Sequence, residues 1–159
     1  MAMLTNTVVM IRPGEKMGKP ITRAFNALLK SLKNLGIQTM VFDQSTATSV
    51  DALFPSCWLI TLPEGIVAVL PMFRRDRRQE KRDDILEALQ NKFFVKDIED
   101  WSEYEVEGFF LEGTASMVMD HENKLIYSCL SQRTHTAVLE KFATAHRYKA
   151  ITFNATDEV

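Results

Sequence analysis

Short apolar runs and stretches of helical periodicity alternate along the chain. Residues 7–11 are β-branched and apolar and stop at Pro13 and Gly14, which predicts a buried strand. Residues 20–33 predict a helix. Pro20 suits its first turn, Ile21, Ala24, Phe25, Leu28, Leu29 and Leu32 share one face, and Gly36 lies just past its end. Residues 38–42 predict a strand. Further on, residues 58–61 and 66–70 predict a hairpin about Leu62, Pro63, Glu64 and Gly65. Asp76 is placed to cap a helix through Gln90 with Ile85, Leu86 and Leu89 inward, and residues 93–95 begin a third strand. Residues 115–119 and 124–128 flank Asp120, His121, Glu122 and Asn123 as a second hairpin. Ser131 or Thr134 is placed to cap a helix through His146, and residues 150–153 close with a strand.

Hairpin, helix and strand thus occur twice, and the first block is the same unit without one strand. The repeat is about 55 residues, a period that suggests a supersecondary unit arranged as an array or propeller. The expected organisation is one α/β domain of three units, near 1–45, 46–98 and 99–159. An ordinary α/β sandwich is the alternative.

Composition narrows the class. A chain of 159 residues with 46% apolar and 25% charged residues is that of a globular domain. Nineteen basic against 21 acidic residues give a net charge of -2, which argues against nucleic acid as a partner. Cys57 and Cys129 belong to no CxxC pair and read as free thiols. Residues 1–12 lack the basic segment and apolar run of a signal peptide, and no stretch reaches the roughly 18 apolar residues of a membrane helix. The expectation is a cytoplasmic protein with no membrane partner.

Candidate chemistry is sparse. There is no phosphate-binding loop, and His121, His135 and His146 lie far apart, so neither a metal nor a cofactor is expected. Six of the nine residues from Arg74 to Arg82 are basic. Basic residues at a helix start oppose its dipole, so they read either as a solvated face balanced by Glu80, Asp83 and Asp84, or as arginines for a carboxylate or phosphate. Residues 97–107 hold six acids interrupted by Trp101 and Tyr104 and read as a surface loop. Glu112 precedes Gly113 at an expected strand start, and Arg133 stands at a strand end beside a helix N-terminus. Cys129, inside an apolar strand pattern, reads as a packed thiol.

The order of five motifs carries a resemblance. They are Val9-Met10-Ile11-Arg12-Pro13, then Val50-Asp51-Ala52-Leu53-Phe54-Pro55, then Pro71-Met72 with Arg77-Arg78-Gln79-Glu80, then Leu111-Glu112-Gly113-Thr114, then Ser131-Gln132-Arg133-Thr134. In this register the chain resembles the guanidino-group-modifying superfamily of arginine deiminases, dimethylarginine dimethylaminohydrolases and amidinotransferases. It looks closest to the citrulline-utilisation hydrolase branch. The resemblance implies a five-bladed α/β propeller of which this chain supplies about three units, with the site on the central axis. It also implies a cysteine thiolate that attacks a guanidinium or ureido carbon, and a histidine general acid and base oriented by a carboxylate.

By that resemblance Glu112 is the carboxylate that orients the histidine, and Asp51 is a substrate-binding acid. Arg78, with Arg77 as the alternative register, and Arg133 would hold the carboxylate of an amino-acid substrate. Ser56 and Cys57 occupy the pair that usually binds the substrate's nitrogens, and neither carries a carboxylate. The family's histidine and nucleophilic cysteine have no counterpart in these 159 residues, because neither His146 nor Cys129 stands in a matching motif. The implied protein is the N-terminal part of a hydrolase of citrulline- or arginine-like C–N bonds, inactive alone. A non-catalytic amino-acid or protein binding module, or a half-enzyme completed by another chain, are the alternatives. Exposed strand edges predict self-association.

Overall fold

A computed structural model describes residues 6–45 and 50–156. Among these, three small sheets follow one another along the chain. In the first, β1 (Thr7–Arg12) pairs in parallel with β2 (Gln38–Asp43). A parallel pair needs a crossover, which α1 (Lys19–Asn34) supplies. The helix ends because Gly36 takes a φ of 74°, which only glycine adopts at no cost. Two backbone bonds close that end, Ile37 N–H to Leu32 O and Gly36 N–H to Lys33 O, both 3.0 Å.

The second sheet has the order β3 (Leu59–Leu62), β4 (Ile66–Val69), β5 (Asp97–Asp100). Its hairpin is antiparallel, and β5 returns parallel to β4 after α2 (Asp83–Lys92). The third sheet repeats this with β6 (Met117–Asp120), β7 (Leu125–Cys129) and β8 (Lys149–Phe153). There β8 runs parallel to β7 after α4 (Thr136–Ala145). The expected junction between residues 45 and 46 borders 46–49, which lie outside the described residues.

Four details differ from the pattern-based expectation. Asp76 caps no long helix: residues Arg75–Glu80 form a separate 3-10 segment, Lys81 and Arg82 are extended, and α2 starts at Asp83. The break puts Asp83 and Asp84, rather than the arginines, in the first turn of α2, where acids suit the dipole. The third strand of the second sheet pairs at Asp97–Asp100, not at 93–95. Phe93 and Val95 pack against the core on the approach, and Lys96 N–H binds Gly65 O at 2.7 Å. Glu112 is not a strand start but the residue before a single helical turn, α3 (Gly113–Ser116). The cap of α4 is neither Ser131 nor Thr134 but His135, whose ring Nδ1 accepts the Ala137 N–H at 3.3 Å.

Two apolar clusters meet at β4. Val67 and Val69 face a cluster with Ile11, Trp58, Met72, Ile85 and Leu89. Ala68, with Leu70 just beyond, faces the other, with Leu111, Ile126, Leu139 and Phe142. Alternation along one strand thus sends side chains into both. The second sheet is covered on each side, whereas α1 has no buried residue. No helix among the described residues is long and apolar enough to cross a membrane.

Candidate functional site

The short turn after Leu111 fixes Glu112. Its own N–H binds Arg133 O at 3.2 Å, and the Ser116 hydroxyl donates to the same Arg133 carbonyl at 2.7 Å. The side chain is 1% exposed, and its Oε1 accepts the Phe73 N–H at 2.9 Å. The other oxygen, Oε2, is buried without a hydrogen bond. Arg133 Nε lies 3.8 Å from it and Arg77 Nη1 3.9 Å. These are ion-pair distances too long for hydrogen bonds.

Gly113 lets the Ser56–Cys57 turn approach. Its φ is 27°, and a Cβ there would stand 2.0 Å from Ser56 O. The Ser56 and Thr114 hydroxyls lie 2.8 Å apart. Cys57 is buried and its thiol lies against the Arg77 guanidinium. Ser56 also ends an open apolar groove of about 540 Å³ between α1 and β1, which Phe25, Leu28 and Phe54 line.

The adjacent arginines differ sharply. Arg77 is buried and fully engaged. Its Nε and Nη2 grip both Glu80 oxygens at 2.9 and 2.8 Å, and Nη2 also reaches Asp51 O at 3.3 Å. Hydrogen bonding to Glu80 raises its pKa further above the ordinary guanidinium value, against the desolvation that opposes it. Arg78 is partly exposed. Its Nε donates to Met72 O at 3.0 Å and lies 3.2 Å from Glu105 Oε2, and its guanidinium lies over the Phe110 ring. The Asp51 carboxylate pairs with Arg74 at 3.1 Å.

The fold brings Asp51, Cys57 and Glu112 to the alternative-register arginine, Arg77, while Arg133 lies beside Glu112 and Ser56 beside Thr114. Arg78 stands across the Met72–Phe73 backbone. The pattern gives Glu80 only as an acid balancing a solvated face, and gives Lys81 and Glu105 no role of their own. The signal was the match between the basic 74–82 run and the acidic 97–107 run, which lie against each other: Lys81 Nζ reaches Glu105 Oε1 at 2.6 Å.

None of the histidines meets Glu112 among the described residues. His121 bonds the Tyr148 hydroxyl at 2.6 Å, His135 stacks on Phe109, and His146 is buried 3.2 Å from Glu99 Oε2. Cys129 is only partly buried, and its thiol lies 3.8 Å from Leu130 O. The cluster supplies arginines, hydroxyls and one unsatisfied buried carboxylate oxygen. It can hold a polar ligand or orient a donor.

Comparison with known proteins agrees on the fold. The family described as N,N dimethylarginine dimethylhydrolase, eukaryotic, matches residues 12–159. No protein of curated function matches in sequence. A crystal structure of dimethylarginine dimethylaminohydrolase as an adduct with S-methyl-L-thiocitrulline superposes with a TM-score of 0.74 at 13% identity, covering 98% of this chain and 63% of that one. The Pseudomonas aeruginosa enzyme complexed with citrulline gives 0.70 at 14% identity, over 96% and 62%. ArgZ, an arginine dihydrolase from cyanobacteria, gives 0.70 at 13% identity, over 96% of this chain but 22% of its own. The chain thus spans less than two thirds of each of these structures.

Proposed function

The chain belongs to the N,N dimethylarginine dimethylhydrolase family, and from that premise we propose that it is the N-terminal part of a hydrolase acting on C–N bonds of citrulline- or arginine-like amino acids. The observation that carries this is Glu112 Oε2, a buried carboxylate oxygen with no hydrogen bond. Such an atom is costly unless a donor meets it. An imidazole N–H from a catalytic histidine outside these residues is the donor the family resemblance implies. Glu112 then has the catalytic orienting role, and Arg78 and Arg133 bind the substrate carboxylate. Asp51, Ser56 and Cys57 line the ligand's other end, with Arg77 as the buried strut between them. The three units, near 1–45, 46–98 and 99–159, are three blades of a five-bladed propeller.

The 159 residues alone are inactive in this reading, because no thiolate and imidazole pair stands beside Glu112 among the described residues. Purified chain incubated with L-citrulline, L-arginine or methylarginine should release ammonia or amine no faster than a blank. Release that Cys57→Ala abolishes would overturn the inactivity. Titration with L-citrulline tests the binding role: saturable binding lost in Arg133→Ala supports it, and no binding refutes it.

A second reading, a half-enzyme completed by another chain, draws on the open faces. No residue of α1 is buried, and Val118, Tyr127 and Ile151 form an exposed row across the third sheet. Self-association through the same faces is a separate expectation, because a second copy of this chain would bring no further histidine or cysteine motif, and light scattering of the purified chain tests it. A monodisperse monomer at high concentration would refute it.

A further inference from the structure

Glu105 comes from the acidic stretch that sequence patterning places on an unremarkable surface loop, yet its side chain is only 11% exposed. It ends the 3-10 segment Ser102–Glu105. That segment is anchored by Trp101, which stacks on Tyr104 and meets Phe142 edge-on. Both carboxylate oxygens are used. Oε1 accepts the Met72 N–H at 2.8 Å and meets Lys81 Nζ at 2.6 Å, while Oε2 lies 3.2 Å from Arg78 Nε. Lys81 also bonds the Ser102 hydroxyl. Met72 is clamped from both sides, because its carbonyl accepts from Arg78.

We infer that Glu105 is a positioning residue for ligand-carboxylate recognition, acting through Arg78; the inference rests on the reading of Arg78 as a carboxylate-binding arginine. Nε is the guanidinium donor nearest the backbone; its hydrogen goes to the Met72 carbonyl, Glu105 Oε2 lies beside it as the ion-pair partner, and Glu105 also holds the Met72 N–H, so the two together set the plane of the group. Phe110, whose ring centre lies 5.7 Å from the guanidinium carbon, flanks it on one face. Among the described residues neither Nη group of Arg78 has a partner, so the fork that can meet a carboxylate with two parallel bonds is oriented and free. Arg77, one residue earlier, spends its Nε and Nη2 edge on Glu80.

Charge completes the argument. Glu105 alone would neutralise Arg78 and weaken its hold on an anion. Lys81 on the other carboxylate oxygen leaves the triad one positive charge in excess. The triad therefore orients Arg78 without cancelling its attraction.

The experiment is a calorimetric or NMR titration of the whole chain with L-citrulline and with N-carbamoylputrescine, which is citrulline without its carboxylate. Wild type should bind citrulline the more tightly. Glu105→Gln should weaken citrulline at least fivefold and leave N-carbamoylputrescine unchanged, and Glu105→Asp should recover part of the loss. Lys81→Met, which leaves Glu105 and Arg78 in place, is the second variant should Glu105→Gln fail to fold. It too should weaken citrulline selectively. Equal weakening of both ligands, or unchanged citrulline binding in a folded Glu105→Gln protein whose Arg78→Ala counterpart loses it, overturns the positioning role alone. Failure of wild type to bind citrulline overturns the underlying reading and the inference with it.

Discussion

The helices α1 and α2 are each a crossover between parallel strands, and each carries an apolar stripe. Ile85 and Leu89 of α2 are wholly or almost wholly buried, whereas Leu28 of α1 is 53% exposed. The difference is one of neighbours. The second unit lies between the first and third sheets, so its helix and both faces of β4 are covered. The stripe of α1 instead faces an open groove that β1 and Phe54 also line. Apolar periodicity records which face a helix prefers to hide, and the tertiary arrangement decides whether anything hides it.

The largest expected effect lies in the buried charges of the second unit. Arg77→Met leaves Glu80 and Glu112 buried without their guanidinium, and breaking a buried pair from one side costs about 3–5 kcal/mol. The corresponding ion pair of the first unit, Arg12 with Asp43, is exposed. Arg12→Met there should cost less than about 0.5 kcal/mol. Urea unfolding of the two variants measures the contrast, and equal losses would erase the distinction between the units.

Next come the helices themselves. Ile85→Ala removes a fully buried side chain and should cost about 3 kcal/mol, against less than about 0.5 kcal/mol for Leu28→Ala. Amide exchange should follow the same order, with α1 exchanging through smaller openings than α2. Measured in dilute, dissociated protein, a Leu28→Ala loss close to that of Ile85→Ala would mean that the groove is covered within a single chain.

Most elements were legible because period and turn chemistry agree locally: Gly36 ends α1, and the Gly65 turn closes the β3–β4 hairpin. The segment from 71 to 82 was not. Its path is set by Arg77 reaching Glu80, Asp51 and Glu112, contacts over up to 35 positions that no local period encodes. The site divides in the same way. The motif order names Glu112, Asp51 and Arg133 as candidates, and in the fold Arg77 reaches the Asp51 carbonyl and lies near Glu112, with Arg133 beside that same carboxylate. Glu105 was hidden because an acid among six acids has no distinctive spacing, only a distinctive partner.

Gly113→Ala sharpens the comparison at the junction of the second and third units. The added methyl meets Ser56 O at 2.0 Å, and a φ of 27° disfavours any side chain. The loss should be about 2 kcal/mol from overpacking and strain. The same change in the first unit, Gly14→Ala, meets nothing closer than 3.5 Å and should be tolerated. Thermal melting of the pair decides it, and a neutral Gly113→Ala would mean that the Ser56 turn gives way freely.

The smallest expected effect concerns Arg82, which joins the first unit to the second. Its Nη1 donates to Asp43 O at 2.6 Å, its guanidinium lies over Phe42, and Nε and Nη2 hold Asp84 at 2.9 and 2.5 Å. Hydrogen bonding from Arg82 holds the Asp84 carboxyl below the ordinary aspartate value, against a smaller desolvation that raises it. The unfolded chain therefore takes up this proton at higher pH than the folded one. The contribution is complete above the unfolded value of about 3.9 and is lost as pH falls through the lower folded value. With the Asp84 side chain 56% exposed, solvent screening limits it to that of a surface pair, about 0.5 kcal/mol or less. Urea midpoints of wild type and Asp84→Asn, compared from about pH 6 to about pH 2.5, should differ at the upper end and converge at the lower. A difference that persists unchanged to the acid end would show that Asp84 acts at this junction through its shape and not its charge.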